Sequence, residues 1–289
     1  MQKLTSGEKV FQVFNYIFLT IISLGMVLPL LHIVAQSLSS DLAINAGKVG
    51  ILPVQFTWDN YAVVVQDSSV WRAFVVSVIV TVGGTFVNLI ATASLAYPLS
   101  RPEYIGRKYI LLMALITFIF SAPLIPNYLL VRSLGLLDSL WALIIPSAIS
   151  AYNLFIMRSF FLNLPNELVD SGRIDGCGEL RLIWSIILPL SKPVMATMGL
   201  FYSVIHWNSY SSALYYINTR ALYPLQVRLR EIVITDQFGE MDTFNSLLNI
   251  SPEGMKMAVI VVATLPIMLV YPFLQKYFIK GMLIGSIKS

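Results

Sequence analysis

The chain has 289 residues, of which 57% are hydrophobic and only 12% charged, with a net charge of +4. Soluble domains carry about 25% charged residues, so the composition excludes an ordinary soluble fold and makes the bilayer the solvent. A single cysteine, Cys177, excludes an internal disulfide or a Cys-based metal cluster. The two histidines, His32 and His206, are too few for a metal site without carboxylates, and the small charge, spread along loops, gives no nucleic-acid footprint.

Apolar runs of about 20 residues suffice to cross a hydrocarbon core. Continuous runs of that length argue for helices, because a barrel would show short alternating segments. Residues 1–12 are polar and are expected as a cytoplasmic N-terminus. The first span is expected over 13–35, with Pro29 inside it; no small-residue cleavage site follows it, so it is expected to be retained. Residues 37–70 are too rich in Asp, Asn, Gly and Ser to span, and carry Phe56, Trp58 and Tyr61. The second span is expected over 73–97, where the pair Gly83-Gly84 permits close helix approach. The third is expected over 109–131, interrupted by Pro123 and Pro126, and the fourth over 140–161, containing Pro146. The fifth is expected over 193–217, and the sixth over 255–278, with Pro266 and Pro272. Residues 218–254 form a second long polar segment.

Six spans put both termini on one side, and the Lys and Arg residues of the loops set which side. Termini inside gives twelve basic residues on that face, among them Arg101, Arg107, Lys108, Arg173, Arg181 and Lys192, against seven outside. The termini and residues 162–192 are therefore expected in the cytoplasm, and 37–70 and 218–254 outside. Trp58, Trp71, Trp141, Tyr215 and Tyr216 fit an aromatic belt at the outer interface.

The longest polar interruption between strongly apolar segments is 167–193, ELVDSGRIDGCGELRLIWSIILPLSKP. Pro165 suits a first helical turn, Asn163 is a plausible cap, and Glu167 and Asp170 are favourable near the positive end. Gly176 and Gly178 are expected to end that helix. A second helix, 179–187, would place Leu180, Ile183, Trp184 and Ile187 on one face and stop at Leu188-Pro189. Small Ser171 and Gly172 would leave the first helix free to press into a cleft on another protein.

This stretch resembles the EAA loop of the inner-membrane subunits of binding-protein-dependent ABC importers. The residues that carry the resemblance are Pro165-Asn166-Glu167-Leu168, Ile174-Asp175-Gly176 and Leu188-Pro189, with Asp170-Ser171-Gly172 standing at the EAA triplet itself. Leu52-Pro53, Asn60-Tyr61, Ile125-Pro126-Asn127-Tyr128, Leu134-Gly135-Leu136-Leu137-Asp138-Ser139, His206-Trp207-Asn208-Ser209 and the tail Lys280 to Lys288 extend it over nearly the whole chain, toward the branch handling oligosaccharides and polysaccharide fragments.

The resemblance implies an all-α membrane protein of the type I ABC importer permease fold, with six transmembrane helices and both termini cytoplasmic. Residues 13–289 would form a single transmembrane domain, with 162–192 as its cytoplasmic coupling loop. It implies a multi-pass protein of the bacterial plasma (inner) membrane. The partners implied are a second permease subunit of a different paralogue, an ATPase dimer and an extracytoplasmic solute-binding protein. Glu167, Asp170, Ser171, Gly172, Asp175, Gly176 and Pro189 would make the ATPase-coupling surface; Asp175 could equally cap a turn.

Polar groups inside spans are expensive and often mark a pathway, and sugars are held by amides, hydroxyls and aromatic faces. His206, Trp207, Asn208, Tyr210, Asn127 and Asn153 are the pathway candidates, and interhelical hydrogen bonding is the competing reading for each. Asn88, on the Gly83-Gly84 span, reads as packing. The polar runs Arg228-Arg230-Glu231 and Asp236 to Asp242 could dock a binding protein.

No Gly-rich phosphate loop is present, so ATP and Mg are expected on partner subunits and no cofactor or catalytic residue on this chain. Two other classes compete. An intramembrane enzyme needs acids within spans, and nearly all acids here lie in loops; an ion-coupled secondary transporter needs intramembrane charges and internal repeats. A permease of the same importer class for another solute is the nearer alternative.

Overall fold

The computed structural model describes residues 5–235 and 252–286. Among these the chain is helical, and the sole β pairing is an isolated bridge between Ser39 and Phe56. The chain divides into two compact units, Met1–Val70 with Leu229–Thr264, and Trp71–Arg228 with Leu265–Ser289.

The first unit begins with α1, Ser6–Ser37, which starts well before the expected span. The reason is a capping box: Glu8 N–H donates to Thr5 Oγ1, and the Thr5 N–H donates to Glu8 Oε2 at 2.7 Å. Helix α1 stays uncovered within the unit over its bilayer-length window. The outer segment that follows holds α2, Asp41–Asn45, and α3, Asp59–Gln66. Asn60 organises it: its Nδ2 donates to the carbonyls of Ser37 and Ser39, both at 3.2 Å. Gly254, near the start of the last helix, lies against the Asn60 amide so closely that a Cβ would sit 2.6 Å from Oδ1.

The second unit carries most of the apolar helices. Helix α4, Ser68–Ser100, runs for 33 residues, with Gly83 and Gly84 near its middle. The stretch expected as the third span is divided into α5, Arg107–Ile119, and α6, Leu124–Ser133. Pro123 supplies no N–H and disfavours helix in the residue before it, so the break falls at 120–123. The fourth expected span is α7, Trp141–Ile144, a 3₁₀ turn at Ile145–Ser147, and α8, Ala151–Leu162, bent by 54° at the break. Next come α9, Asn166–Ile174, and α10, Glu179–Leu190. Helix α11, Lys192–Trp207, leaves α10 at 84°. It ends ten residues short of the expected boundary at 217, with Asn208 as its C-cap, and a separate short helix, α12, Ser211–Tyr216, follows.

Helix α13, Leu225–Thr235, and α14, Pro252–Ser286, complete the described chain; α14 is continuous through Pro266 and Pro272. The expected docking run Asp236 to Asp242, Lys3 and the terminal residues 287–289 lie outside the described residues. Among the described residues three helices are long and apolar enough to cross a membrane, α1, α4 and the 252–272 part of α14. The α7–α8 and α10–α11 pairs raise that to five if each is one broken span. Four of the five belt aromatics are exposed, but Tyr216 is buried and stacks on Tyr128.

Candidate functional site: the 165–190 loop and the α4–α11 seam

Helix α9 is nine residues long and is entered through Pro165 as N-cap, without a side-chain cap bond. Asn163, expected as the cap, instead ends α8 and donates from Nδ2 to the Ser159 carbonyl. The helix ends in a full Schellman turn. Gly176 N–H donates to the Arg173 carbonyl and Cys177 N–H to the Gly172 carbonyl, both at 3.0 Å. Gly176 has φ of +79°, in the left-handed region where L side chains are strained.

Glu167, Asp170, Ser171 and Asp175 are exposed, whereas Val169 and Gly172 are buried. Gly172 does not face outward as its small size suggested. A Cβ there would stand 2.9 Å from Ile186 Cδ1 and 3.5 Å from Leu182 Cδ1, so the missing side chain lets α9 sit on α10. Asp175 is the C-cap residue of α9.

The inner face of α10 also differs from the expected one. Leu182 and Ile187 are buried, while Leu180 and Trp184 are exposed. A π turn at Ile183–Ile187 brings Ile187 onto the same side as Leu182. One wider turn advances the phase of everything after it. The same turn precedes Pro189, which sits at the start of the next helical turn, so the helix continues to Leu190 instead of stopping at Leu188-Pro189.

Three charged side chains close over this loop. Arg173 donates to Glu179 Oε1 from Nε at 3.0 Å and from Nη2 at 2.9 Å, and lies 3.8 Å from Glu103. Donating to the Glu179 carboxylate raises the Arg173 pKa above its ordinary value. The other oxygen of Glu179 accepts from the Tyr97 hydroxyl of α4 at 3.2 Å.

Helices α4 and α11 are joined by a polar seam one turn deep. Asn88 Nδ2 donates to the Ser147 carbonyl at 3.0 Å and lies 3.1 Å from His206 Nε2. One turn away Thr92 and Tyr202 share a 2.7 Å hydroxyl bond, and Ser150 N–H donates to the Tyr202 oxygen at 3.1 Å. His206 and Trp207 are buried, and Trp207 meets Phe74 edge-on at 6.0 Å. Asn208 is exposed, with Nδ2 donating back to the Val204 carbonyl, and Tyr210 is half-buried. Asn153 is buried on a cavity of about 420 Å³ lined also by Tyr152, Phe201 and Tyr271, and its Nδ2 has no hydrogen-bond partner. Asn127 is exposed on α6, away from this group in the chain, and donates to the Ala122 carbonyl across the 120–123 break.

The family model for the binding-protein-dependent transport system inner membrane component matches residues 102–284, which contain the whole of the loop. The chain belongs to that family. A polygalacturonan/rhamnogalacturonan transport system permease protein of Bacillus subtilis is 44% identical over 284 residues, covering 98% of this chain and 99% of the relative. The protein LplC of the same organism is 46% identical over 286 residues, covering 99% and 97%. A chain in the crystal structure of a bacterial ABC transporter involved in the import of the acidic polysaccharide alginate superposes with a TM-score of 0.91 at 31% identity, covering 96% of this chain and all of that one.

For this permease the sequence located the loop and its glycine bend. It missed Tyr97, Arg173 and Glu179 as a group, though a basic and an acidic residue six apart across a glycine bend were a usable signal. It also missed Tyr202 and Thr92. Hydroxyls on two apolar helices, 110 positions apart, carry no local sign of their pairing.

Proposed function

We propose that the chain is a transmembrane subunit of an ATP-driven importer that carries an oligosaccharide or polysaccharide fragment, delivered by an extracytoplasmic solute-binding protein. It is a multi-pass protein of the bacterial plasma membrane with six spans, counting the divided α5–α6 stretch as the third, and with both termini in the cytoplasm. A second, different permease subunit pairs with it in the lipid bilayer. ATP and Mg are bound, and ATP is hydrolysed, by an ATPase dimer on the cytoplasmic side.

The observation that carries this reading is α9: a short helix whose outer edge, Glu167, Asp170, Ser171 and Asp175, is uncovered while Val169 and Gly172 are held against the body of the unit. An exposed edge on a rigidly seated helix suits a socket on a motor. Gly172, Gly176 and Pro189 shape that seat. ATP closes the motor, α9 moves with it, and the attached spans open the cavity outward; hydrolysis resets the cycle, a two-state element biased from a distance. The carbohydrate class is supported by the polysaccharide-fragment systems among the relatives.

In the pathway, Asn208, Tyr210, Asn127 and Asn153 offer polar groups, and His206 and Trp207 support them from within the bundle. The test is uptake of labelled trigalacturonate into proteoliposomes carrying the full complex. Uptake that needs both ATP and the solute-binding protein supports the reading. Ion-driven uptake by this subunit alone would sink it.

A further inference from the structure

Four groups near the cytoplasmic loop converge on one point. Tyr97 is a buried residue in the last turn of α4, and its hydroxyl donates to Glu179 at the start of α10. Glu179 takes two donors from Arg173 in the last turn of α9. The Arg101 guanidinium lies 5.0 Å above the Tyr97 ring. The end of α4 is also pinned from behind: Arg158 Nε of α8 donates to the Leu99 carbonyl at 2.9 Å, one of the carbonyls a helix end leaves open.

Arg173 and Glu179 are 38% and 57% exposed, so their pairing adds little stability. The geometry nonetheless joins three helices through one carboxylate, with one oxygen facing α9 and the other facing α4. Without it, α9 meets the body chiefly through apolar contacts at Val169 and Gly172, which permit sliding; directional hydrogen bonds do not.

We propose that Arg173, Glu179 and Tyr97 form a clasp that makes α9 and the end of α4 one moving body, so that displacement of α9 is delivered to α4. These are positioning residues, and the proposal rests on the coupling role assigned to α9 above. The clasp carries force between helices and leaves docking of the motor to the exposed edge of α9.

The test uses the assembled complex with its ATPase and binding-protein subunits. Glu179→Gln and Arg173→Gln should leave ATPase co-purification and basal hydrolysis unchanged. Stimulation of hydrolysis by loaded binding protein, with trigalacturonate as the probe, should fall about fivefold or more, the lower end of usual coupling between sites. The charge swap Arg173→Glu with Glu179→Arg should recover it. Wild-type stimulation in both single variants, or a swap no better than either, would overturn the clasp.

A second arm needs no sugar. Spin labels at Ile174→Cys on α9 and Ser94→Cys on α4, in a Cys177→Ser background, should hold one narrow distance in nucleotide-free and vanadate-trapped complexes, and broaden with Glu179→Gln. A wild-type distance that changes between the two states also overturns it. If trigalacturonate gives no stimulation even in wild type, the carbohydrate reading fails, and the label arm still decides the clasp.

Discussion

Gly84 of α4 lies against the imidazole of His206 on α11, so closely that a Cβ at position 84 would stand 2.5 Å from Nε2 and 2.7 Å from Cε1. A Cβ at the neighbouring Gly83 would meet open space, so only one of the pair makes the close approach. Asn88, one turn along α4, engages the same ring nitrogen. The contact at Gly84 and the bond at Asn88 therefore depend on a single helix separation.

Gly84→Ala should push the helices apart and lower stability by about 1–3 kcal/mol, the usual range for overpacking. Thermal unfolding of the purified complex in nanodiscs measures it. His206→Ala added to Gly84→Ala should cost less than the two single changes summed, because the ring that clashes is gone. Simple additivity would show that the two residues do not share the contact.

Gly176→Val should abolish ATP-driven uptake while the chain still inserts and assembles. The left-handed backbone costs an L residue about 1–2 kcal/mol, and more when the residue is β-branched. Gly176→Asn should retain more transport, since Asn tolerates that region. Equal uptake in wild type and Gly176→Val would count against a coupling role for the bend.

Gly172→Ala should be tolerated. The atom it meets at 2.9 Å is the end of the flexible Ile186 side chain, and alanine favours the helix over glycine by about 1 kcal/mol. Gly172→Leu cannot be absorbed and should separate α9 from α10. ATPase stimulation by the binding protein should survive the first change and fail in the second.

Asp138 should give a local acid response. Its carboxylate accepts from the Thr219 hydroxyl at 2.6 Å and from the backbone N–H groups of Thr219 and Asn218 at 2.8 and 2.9 Å. These bonds, the Thr219 hydroxyl first, hold its pKa below the usual carboxylate value. A folded pKa below the unfolded one means that the contribution is complete at neutral pH. It is lost only as pH falls through the depressed folded value. Hydrogen exchange at Asn218 and Thr219 should be slow at neutral pH, and fast there in Asp138→Ala. Asp138→Asn should remove the acid dependence; an unchanged acid response would assign it to another group.

The helical bilayer-spanning class, the loop after α8 and the turn at Gly176 were legible in the sequence because each depends on composition or on a residue's own backbone freedom. Apolar runs must hide their peptide groups in helices, and a glycine in the left-handed region is a local requirement. The phase of α10 was not legible, since a π turn at 183–187 leaves no mark in the apolar pattern, and it sets Ile187 on the side of Leu182 instead of the side of Leu180 and Trp184. Nor was the direction of Gly172, because a small residue looks the same whether the space beside it belongs to a partner or to Ile186. The break at 120–123 was half visible in Pro123, which locates an interruption without saying that the halves separate.

Asn88 with His206, Thr92 with Tyr202, and Tyr97 with Glu179 are pairs separated by 118, 110 and 82 positions. Periodicity places each residue on a helix, but only packing decides which hydroxyl, amide or carboxylate it will face. The sequence alone determined a helical membrane permease with a polar, glycine-bent loop after α8. The tertiary structure decided which side chains of that loop look outward, which hold it to its own body, and through which atoms α9 is tied to α4, because those choices are made by contacts between segments far apart in the chain.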